Sequence, residues 1–534
     1  MNVNDTMTID ATDTDRALVL GIDGVPWDRI HDWIVEGKLP NFGRLLEQGV
    51  AAPLESTTPP TTPTAWPSIA TGVWPDKHGI YGFQRVESDY TQEMNTSVNL
   101  ERSPLWEHLS PAIVGNVPMT YPASDIDGTM VSGMIAPSLN DRFASPSSLV
   151  DEIDEHVPEY RIGLNWYDYA DDETRFTDDL ASLVDSRRAL MDHLMEIDDW
   201  RLFFFVYTAP DRLQHLIWDD DVILEHYEQL DAILGDVLDY VTEHEANLFV
   251  VSDHGFGPIS KFVNLNTVLS EAGYLTPKAE STARNSLSQL GVTKSNVLGM
   301  VKRMGVDDKR VVQALPKRLV DGIAEQVPGE HGLYDVDFAE TVAFTHGPGY
   351  VYINDTDRFA RGAVSPAEIP SLKRELHDLF ADVTDPETGE TALSVHDGDD
   401  VFPTDDESPD LVIVGEDGYE EKTSLGDDVF ESAGSKAASH RSQGVFFAYG
   451  PGIDARGTVE ELEVVDIAPT LLHSVGEPIP DDIDGTVRTD LLASEAAPTV
   501  QAAGEERSSA RPDDAVDDDF GDVEDRLRGL GYMD

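Results

Sequence analysis

Two short acid–histidine groups and one threonine-rich loop carry most of the chemistry that this chain can do. Asp211 and His215 stand at i and i+4 in Asp211-Arg212-Leu213-Gln214-His215. That spacing sets both on one face of a first helical turn, where they can reach a single metal ion. Asp253 and His254 are adjacent and precede Gly255, which permits a turn as the chain leaves a strand. In such a turn their side chains are expected to diverge toward two neighbouring ions. Asp23 follows a further apolar run and adds a third carboxylate. Phosphoryl transfer at a divalent metal needs several anionic or imidazole ligands around each ion, with room for substrate oxygen and water.

Separately, each signal has an ordinary alternative. An Asp-x-x-x-His on a helix is a common surface pair, an Asp-His-Gly after a strand is a common turn, and a lone histidine in a loop such as Ala438-Ser439-His440-Arg441-Ser442 is commonly structural. Co-occurrence at strand ends is what favours a metal centre. The loop Pro59-Pro60-Thr61-Thr62-Pro63-Thr64-Ala65-Trp66 supplies hydroxyls held by rigid prolines, and a helix can begin between Trp66 and Thr71. A hydroxyl beside a metal at a helix N-terminus is an activated nucleophile, and the helix end favours bound phosphate. Thr61, Thr62 and Thr64 all qualify on these grounds, and all three could equally be caps and turn residues.

The elements that must position these groups are legible as patterns. The runs Leu18 to Ile22, Phe203 to Tyr207 and Leu248 to Val251 are short, apolar and strand-like, and each ends just before a candidate ligand. In an open, doubly wound α/β sheet the carboxyl ends of parallel strands form the ligand crevice. Tyr227, Leu230, Leu234, Val237, Leu238 and Val241 recur at helical spacing and predict a helix packed on that sheet. The expected organisation is a disordered tail at 1–16, a discontinuous core at 17–266 and 336–490, a helical insertion or cap at 267–335, a disordered acidic linker at 491–522 and a short helix at 523–534. Within the second core segment, Thr341 to Phe344, Gly349 to Asn354, Asp410 to Val414 and Gly444 to Tyr449 resume the sheet pattern.

Composition narrows the function classes. The 534 residues include 102 Asp and Glu against 37 Lys and Arg, for a formal charge of −65. Such a surface repels nucleic acid and anionic membrane. The excess runs along the whole chain, which fits solubility in very high salt and a halophilic source. With no cysteine, any metal site must use His, Asp and Glu. No run reaches the roughly 18 apolar residues of a membrane span, and the acidic N-terminus lacks the pattern of a secretory signal. A cytoplasmic protein is expected; its oligomeric state is not written in these patterns.

Taken together, Gly21-Ile22-Asp23-Gly24, the Thr62 loop through Thr71-Gly72 and His78-Gly79-Ile80, Pro210-Asp211 with His215, Ser252-Asp253-His254-Gly255 and His440-Arg441 before Gly444 resemble the alkaline phosphatase superfamily. Within it they are most similar to the type I phosphodiesterase/nucleotide pyrophosphatase branch and related phosphohydrolases. Asp466 to Leu472 and Asp484-Gly485 look like that family's closing helix and turn. The resemblance spans Ala17 to Val487. It implies an alkaline-phosphatase-like fold and two divalent ions, zinc or alternatively manganese. One ion would be held by Asp211, His215 and His440; the other by Asp23, Asp253, His254 and Thr62. It makes Thr62 the nucleophile, by its distance from Thr71-Gly72, and implies a covalent phospho-threonine intermediate on a small-molecule phosphate ester. Where nucleotide pyrophosphatases carry an Asn three residues after the nucleophile, this chain has Ala65, so nucleotide specificity does not transfer. The insertion, with Lys302, Arg303 and Lys317, is the expected source of substrate choice.

Three other functions compete with this reading. A sulfatase needs a Cys or Ser in a Cys/Ser-x-Pro-x-Arg context, which the Thr62 loop lacks. A cofactor-independent phosphomutase shares the two-metal core but returns the phosphoryl group to a substrate hydroxyl. A non-catalytic metal-binding interaction protein would be expected to have lost a ligand or the nucleophile.

Overall fold

The computed structural model describes residues 14–278, 333, 335–504, 518 and 520–529, apart from positions 158, 166, 167, 170, 171, 435 and 495. Most of the 267–335 insertion, with Lys302, Arg303 and Lys317, lies outside the described residues, as do most of the N-terminal tail, residues 505–517 of the linker and residues 530–534.

A ten-stranded sheet forms the centre. Its order runs Gly457–Thr458, Val50–Glu55, Gln443–Tyr449, Asn247–Val251, Ala17–Ile22, Leu202–Tyr207, Ala112–Gly115, Gly128–Val131 and Ala144–Ser145, with Leu462–Glu463 also paired to Val50–Glu55. The five strands from Asn247–Val251 to Gly128–Val131 are mutually parallel, whereas Gln443–Tyr449 and Ala144–Ser145 run antiparallel to their neighbours. The central strands are continuous apolar runs because helices cover both faces. Alternate side chains of the first strand serve different layers. Leu18, Leu20 and Ile22 share a layer with Leu180, Leu183, Tyr227 and Leu230 of the helices Glu173–Leu194 and Asp220–Glu243. Ala17 and Val19 instead share a layer with Trp66, Ile69, Leu471 and Leu472 of the helices Thr62–Thr71 and Ile467–Ser474. The helix expected from the Tyr227 to Val241 stripe is Asp220–Glu243, and the Asp219 carboxylate caps it by accepting from the amides of Asp221 and Val222 at 3.1 and 3.2 Å.

A second lobe has a separate core. Ala343–His346, Tyr350–Ile353, Leu411–Gly415 and Leu393–Asp397 form an antiparallel sheet over Leu376 and Phe380, with Phe344, Val351 and Ile413 buried inside. Of the four runs that resume the sheet pattern, only Gly444 to Tyr449 returns to the central sheet. A short apolar run reads alike in either sheet, and its partner is a tertiary choice. The lobe is reached along Gly255–Asn264, a strand that begins directly after His254 and pairs with Ala438–Arg441, Gly418–Lys422 and Phe430–Ser432. Near the C-terminus, the helix Gly521–Gly529 buries Val523 and Leu527 in the layer of Leu18, and the Arg526 guanidinium donates to the Ala136 carbonyl at 2.8 Å.

Candidate active site

Register brings the acids together. Ile22 lies beside Tyr207, and Gly21 beside both Val206 and Val251, so three parallel strands end at one level. Asp23, the Thr208 to Asp211 turn and Ser252-Asp253-His254 therefore leave the sheet at one edge. Hydrogen bonds tie these loops to one another. The Gly24 amide donates to Asp253 Oδ1 at 3.1 Å, the Val25 amide to Ser252 Oγ at 2.8 Å and Gln214 Nε2 to the Gly24 carbonyl at 2.6 Å. Gly24 has φ +73°, and a Cβ there would stand 3.1 Å from the Asp211 backbone, so both conformation and space demand glycine.

Two acid–histidine groups result, and within each the possible ligand atoms lie within 4.8 Å of one another. In the first, Asp211 Oδ1 is 3.4 Å from both His215 Nε2 and His440 Nε2, and the two imidazole nitrogens are 3.1 Å apart. Asp211 and His215 share the helix Ala209–Leu216. His440 does not come from a loop as expected. It sits on the strand Ala438–Arg441, paired opposite Phe256, and this pairing carries it across from a distant part of the chain. In the second group, His254 Nε2 is 3.2 Å from Asp253 Oδ2 and 3.6 Å from Asp23 Oδ1. Asp253 and His254 thus converge on one position and do not diverge toward two. The groups adjoin through the His254 and His440 rings, 4.2 Å apart.

The electrostatics fit bound cations. Burial raises the Asp23 carboxyl well above the ordinary carboxylate range, and Asp253 and Asp211 add repulsion. Burial likewise raises Asp253 against the pull of His254. Burial would raise Asp211 too, but His215 and His440 overcome it and hold Asp211 well below its usual value. Burial, reinforced by His254, pushes His440 well down, and burial also lowers His215. His254 Nδ1 lies 3.0 Å from the Gly255 carbonyl, which can only accept, so Nδ1 donates there and Nε2 is the ring nitrogen that points toward Asp23 and Asp253. Backbone-anchored tautomers of this kind are a recurrent feature of histidine metal ligands. Imidazole nitrogens and carboxylate oxygens gathered within 3.1 to 3.6 Å of one another make a donor set for divalent ions.

Thr62 is the first residue of the helix Thr62–Thr71, which begins four residues before the expected Trp66 start. Pro63 is tolerated there because amides of the first turn have no intrahelical partner. Thr62 Oγ1 lies 3.2 Å from His254 Nε2 and 3.4 Å from Asp23 Oδ1. Thr61 and Thr64 are bonded to each other at 2.9 Å, and Thr64 also to Thr57 at 2.7 Å, away from the acids.

Two further residues, present in the motifs but not among the candidate ligands, support the site. Trp66 Nε1 donates to Asp23 Oδ2 at 3.1 Å, and its ring fills the space where a Cβ on Gly21 would be, only 2.4 Å away. His78 is fully buried and pushed down to about 3 by that burial, so it is neutral; its Nε2 meets Ser68 Oγ at 3.1 Å inside the same helix. Beyond the helix, the amides of Asp484 and Gly485 both donate to the Gly72 carbonyl, at 3.0 and 3.1 Å. A cleft opens beside the Thr62 loop and His440, between Pro59, Pro60, Thr61 and Pro63 on one side and His346, Pro348 and Glu421 of the second lobe on the other.

The sequence model of the type I phosphodiesterase/nucleotide pyrophosphatase family matches residues 17–445. The chain belongs to this family. It is thereby a member of the alkaline phosphatase superfamily, and its mostly parallel α/β core agrees with that fold. Similar solved structures include murine ectonucleotide pyrophosphatase/phosphodiesterase 5, 16% identical over 90% of this chain and 100% of that one, with a TM-score of 0.48. The human counterpart is 14% identical over 90% and 100% of the respective chains, with a TM-score of 0.49. No curated protein sequence matches the chain. Among the described residues, no helix of this phosphodiesterase-family chain is long and apolar enough to cross a membrane.

Proposed function

We propose that the chain is a two-metal phosphodiesterase acting through a covalent phospho-threonine on Thr62. The observation that carries this reading is the contact of Thr62 Oγ1 with both Asp23 and His254, while the hydroxyls of Thr61 and Thr64 are engaged elsewhere. Asp211, His215 and His440 would hold one ion, and Asp23, Asp253 and His254, with Thr62, the other. Zinc suits the nitrogen and oxygen donors, and manganese is the alternative. Divalent ions so held supply charge neutralisation for the phosphoryl oxygens and lower the energy of a bound alkoxide.

The chain's own residues do the rest. Thr62 Oγ attacks phosphorus in line, the P–O bond to the departing alcohol breaks, and the phosphoryl group is left on Thr62. Water then cleaves that ester and restores the hydroxyl. Trp66 holds Asp23 in one orientation, and Gly255 fixes the His254 tautomer. The loop around Thr62 contributes Pro63, Ala65 and Trp66 but no cation, which favours a diester monoanion over a monoester dianion. The −65 charge is read as an adaptation to molar salt in a cytoplasmic setting; a melting temperature that does not rise with potassium chloride overturns that part.

The test is turnover of bis-p-nitrophenyl phosphate and p-nitrophenyl phosphate with zinc or manganese, for the wild type and Thr62→Ala. Higher kcat/KM on the diester, lost in Thr62→Ala, is expected. A clear monoester preference refutes the diesterase assignment, and isomerisation of a hydroxyl-bearing phosphate monoester in place of its hydrolysis, seen by phosphorus NMR, identifies a mutase.

A further inference from the structure

The second lobe holds several buried or half-buried acids, and most have a cation. Asp385 lies 2.8 Å from Lys261 Nζ, Glu420 lies 2.8 Å from Lys436 Nζ, and Asp410 is paired with Arg358. Glu421 differs. Among the described residues it has no lysine or arginine at ion-pair distance, although it stands on the cleft wall that faces the Thr62 loop. One carboxylate oxygen accepts from the Gly415 amide at 2.7 Å, and the side chain packs so closely on Gly349 that a Cβ there would stand 3.1 Å from Glu421 Cγ. Burial, with repulsion from Glu420, pushes the carboxyl up to about 7, and its own amide, the Gly415 amide and Arg441 offset this only in part. An uncompensated acid in a cleft is costly, and such groups concentrate where a ligand completes them.

The cleft's other charges restrict that ligand. Lys422, whose Nζ lies 3.7 Å from the centre of the Phe262 ring, and Arg441, which donates to the His440 carbonyl at 2.7 Å, line the same space. Two cations disfavour an ammonium group beside Glu421. Glu421 in turn disfavours a second anion. A hydroxyl satisfies both, because it donates to the carboxylate and accepts from lysine or guanidinium. Proline rings at 59, 60, 63 and 348 supply an apolar surface for carbon–hydrogen faces. Resting on the phosphodiesterase reading above, we propose that the cleft takes a neutral polyhydroxyl ester group, of glycerol or sugar type, and that Glu421 is its specificity-determining residue.

The full chain, loaded with zinc or manganese, is assayed on three p-nitrophenyl phosphodiesters whose second ester group is glyceryl, choline or phenyl. All release p-nitrophenol, so differences in kcat/KM report the second group. The wild type is expected to favour the glyceryl ester. Glu421→Leu should lower the glyceryl-to-phenyl ratio about tenfold or more, the loss of a hydrogen bond to a charged acceptor, and Glu421→Gln, which keeps the shape and a hydrogen-bonding amide, should lower it less. A wild-type preference for choline, or an equal change on all three esters in both variants, overturns the inference and leaves the diesterase reading standing. No turnover of any of the three overturns the diesterase reading and the inference with it.

Discussion

The rim of the central sheet and the second lobe both bury carboxylates, and they neutralise them differently. In the lobe, Asp385 and Asp410 meet Lys261 and Arg358. At the rim, Asp23 and Asp253 face each other and His254, and among the described residues no lysine or arginine reaches either. A buried acid paired with a side chain is complete within the fold. Acids gathered around imidazole lone pairs are complete only with a charge from outside, and this separates a structural network from a site.

Thr62→Ala should break the rim's chemistry most severely, lowering kcat/KM by about 10⁴-fold or more while metal content per chain, measured by elemental analysis, stays near the wild-type level. Equal loss in Thr61→Ala with a working Thr62→Ala would show that the loop register is misread. Next in size, His440→Ala should reduce bound metal toward one ion per chain and turnover by more than about 100-fold, a direct measure of how far the rim depends on outside charge. Trp66→Phe removes only the hydrogen bond to Asp23, and about tenfold in kcat is expected, with KM nearly unchanged.

The lobe should behave in the opposite way. Arg358→Met leaves Asp410 buried and uncompensated, so denaturant unfolding should show a loss of roughly 3 kcal/mol with little change in kcat. A large kinetic effect there would dissolve the distinction between the two regions.

The smallest effect concerns pH. In the metal-free protein, Asp23 and Asp253 lie above their ordinary value, so the folded state binds their protons more tightly than the unfolded chain. Their contribution is whole below about pH 4 and is lost as pH rises through their folded values. Asp385, held at about 2 chiefly by Lys261, has the reverse sign, and its contribution is lost as pH falls from about 4 toward 2. The gain in melting temperature on adding metal should therefore widen as pH rises above about 4, the ordinary carboxylate value. A gain that is flat with pH would mean that the rim acids are not what binds the ion.

Much of this was legible before any coordinates. A parallel strand buried on both faces must be a continuous apolar run, so Leu18 to Ile22, Phe203 to Tyr207 and Leu248 to Val251 announce themselves, and so do the acids at their ends. The i,i+4 pair Asp211 and His215 is local geometry, although only the other acid–histidine group marks it as a candidate site and not a surface pair. The stripe from Tyr227 to Val241 has the same character. Nothing local says that Ala343 to His346 joins a second sheet, because its apolar run would suit either one.

What only the tertiary structure decided are relations between distant residues. His440 reaches Asp211 because its strand pairs with Gly255–Asn264 at Phe256, and no spacing in the chain encodes that pairing. Of the three hydroxyls, Thr62 alone faces the acids because Thr57 and Thr61 engage Thr64, a bond network invisible in the order of the residues. The Trp66 indole reaches Asp23 only because Gly21, in a strand far from it in sequence, leaves the space. Residue types and their periods follow from the chain alone, since they depend on near neighbours. Which acids are left without a cation depends on every element that packs around them, and that is settled only when the whole chain has folded.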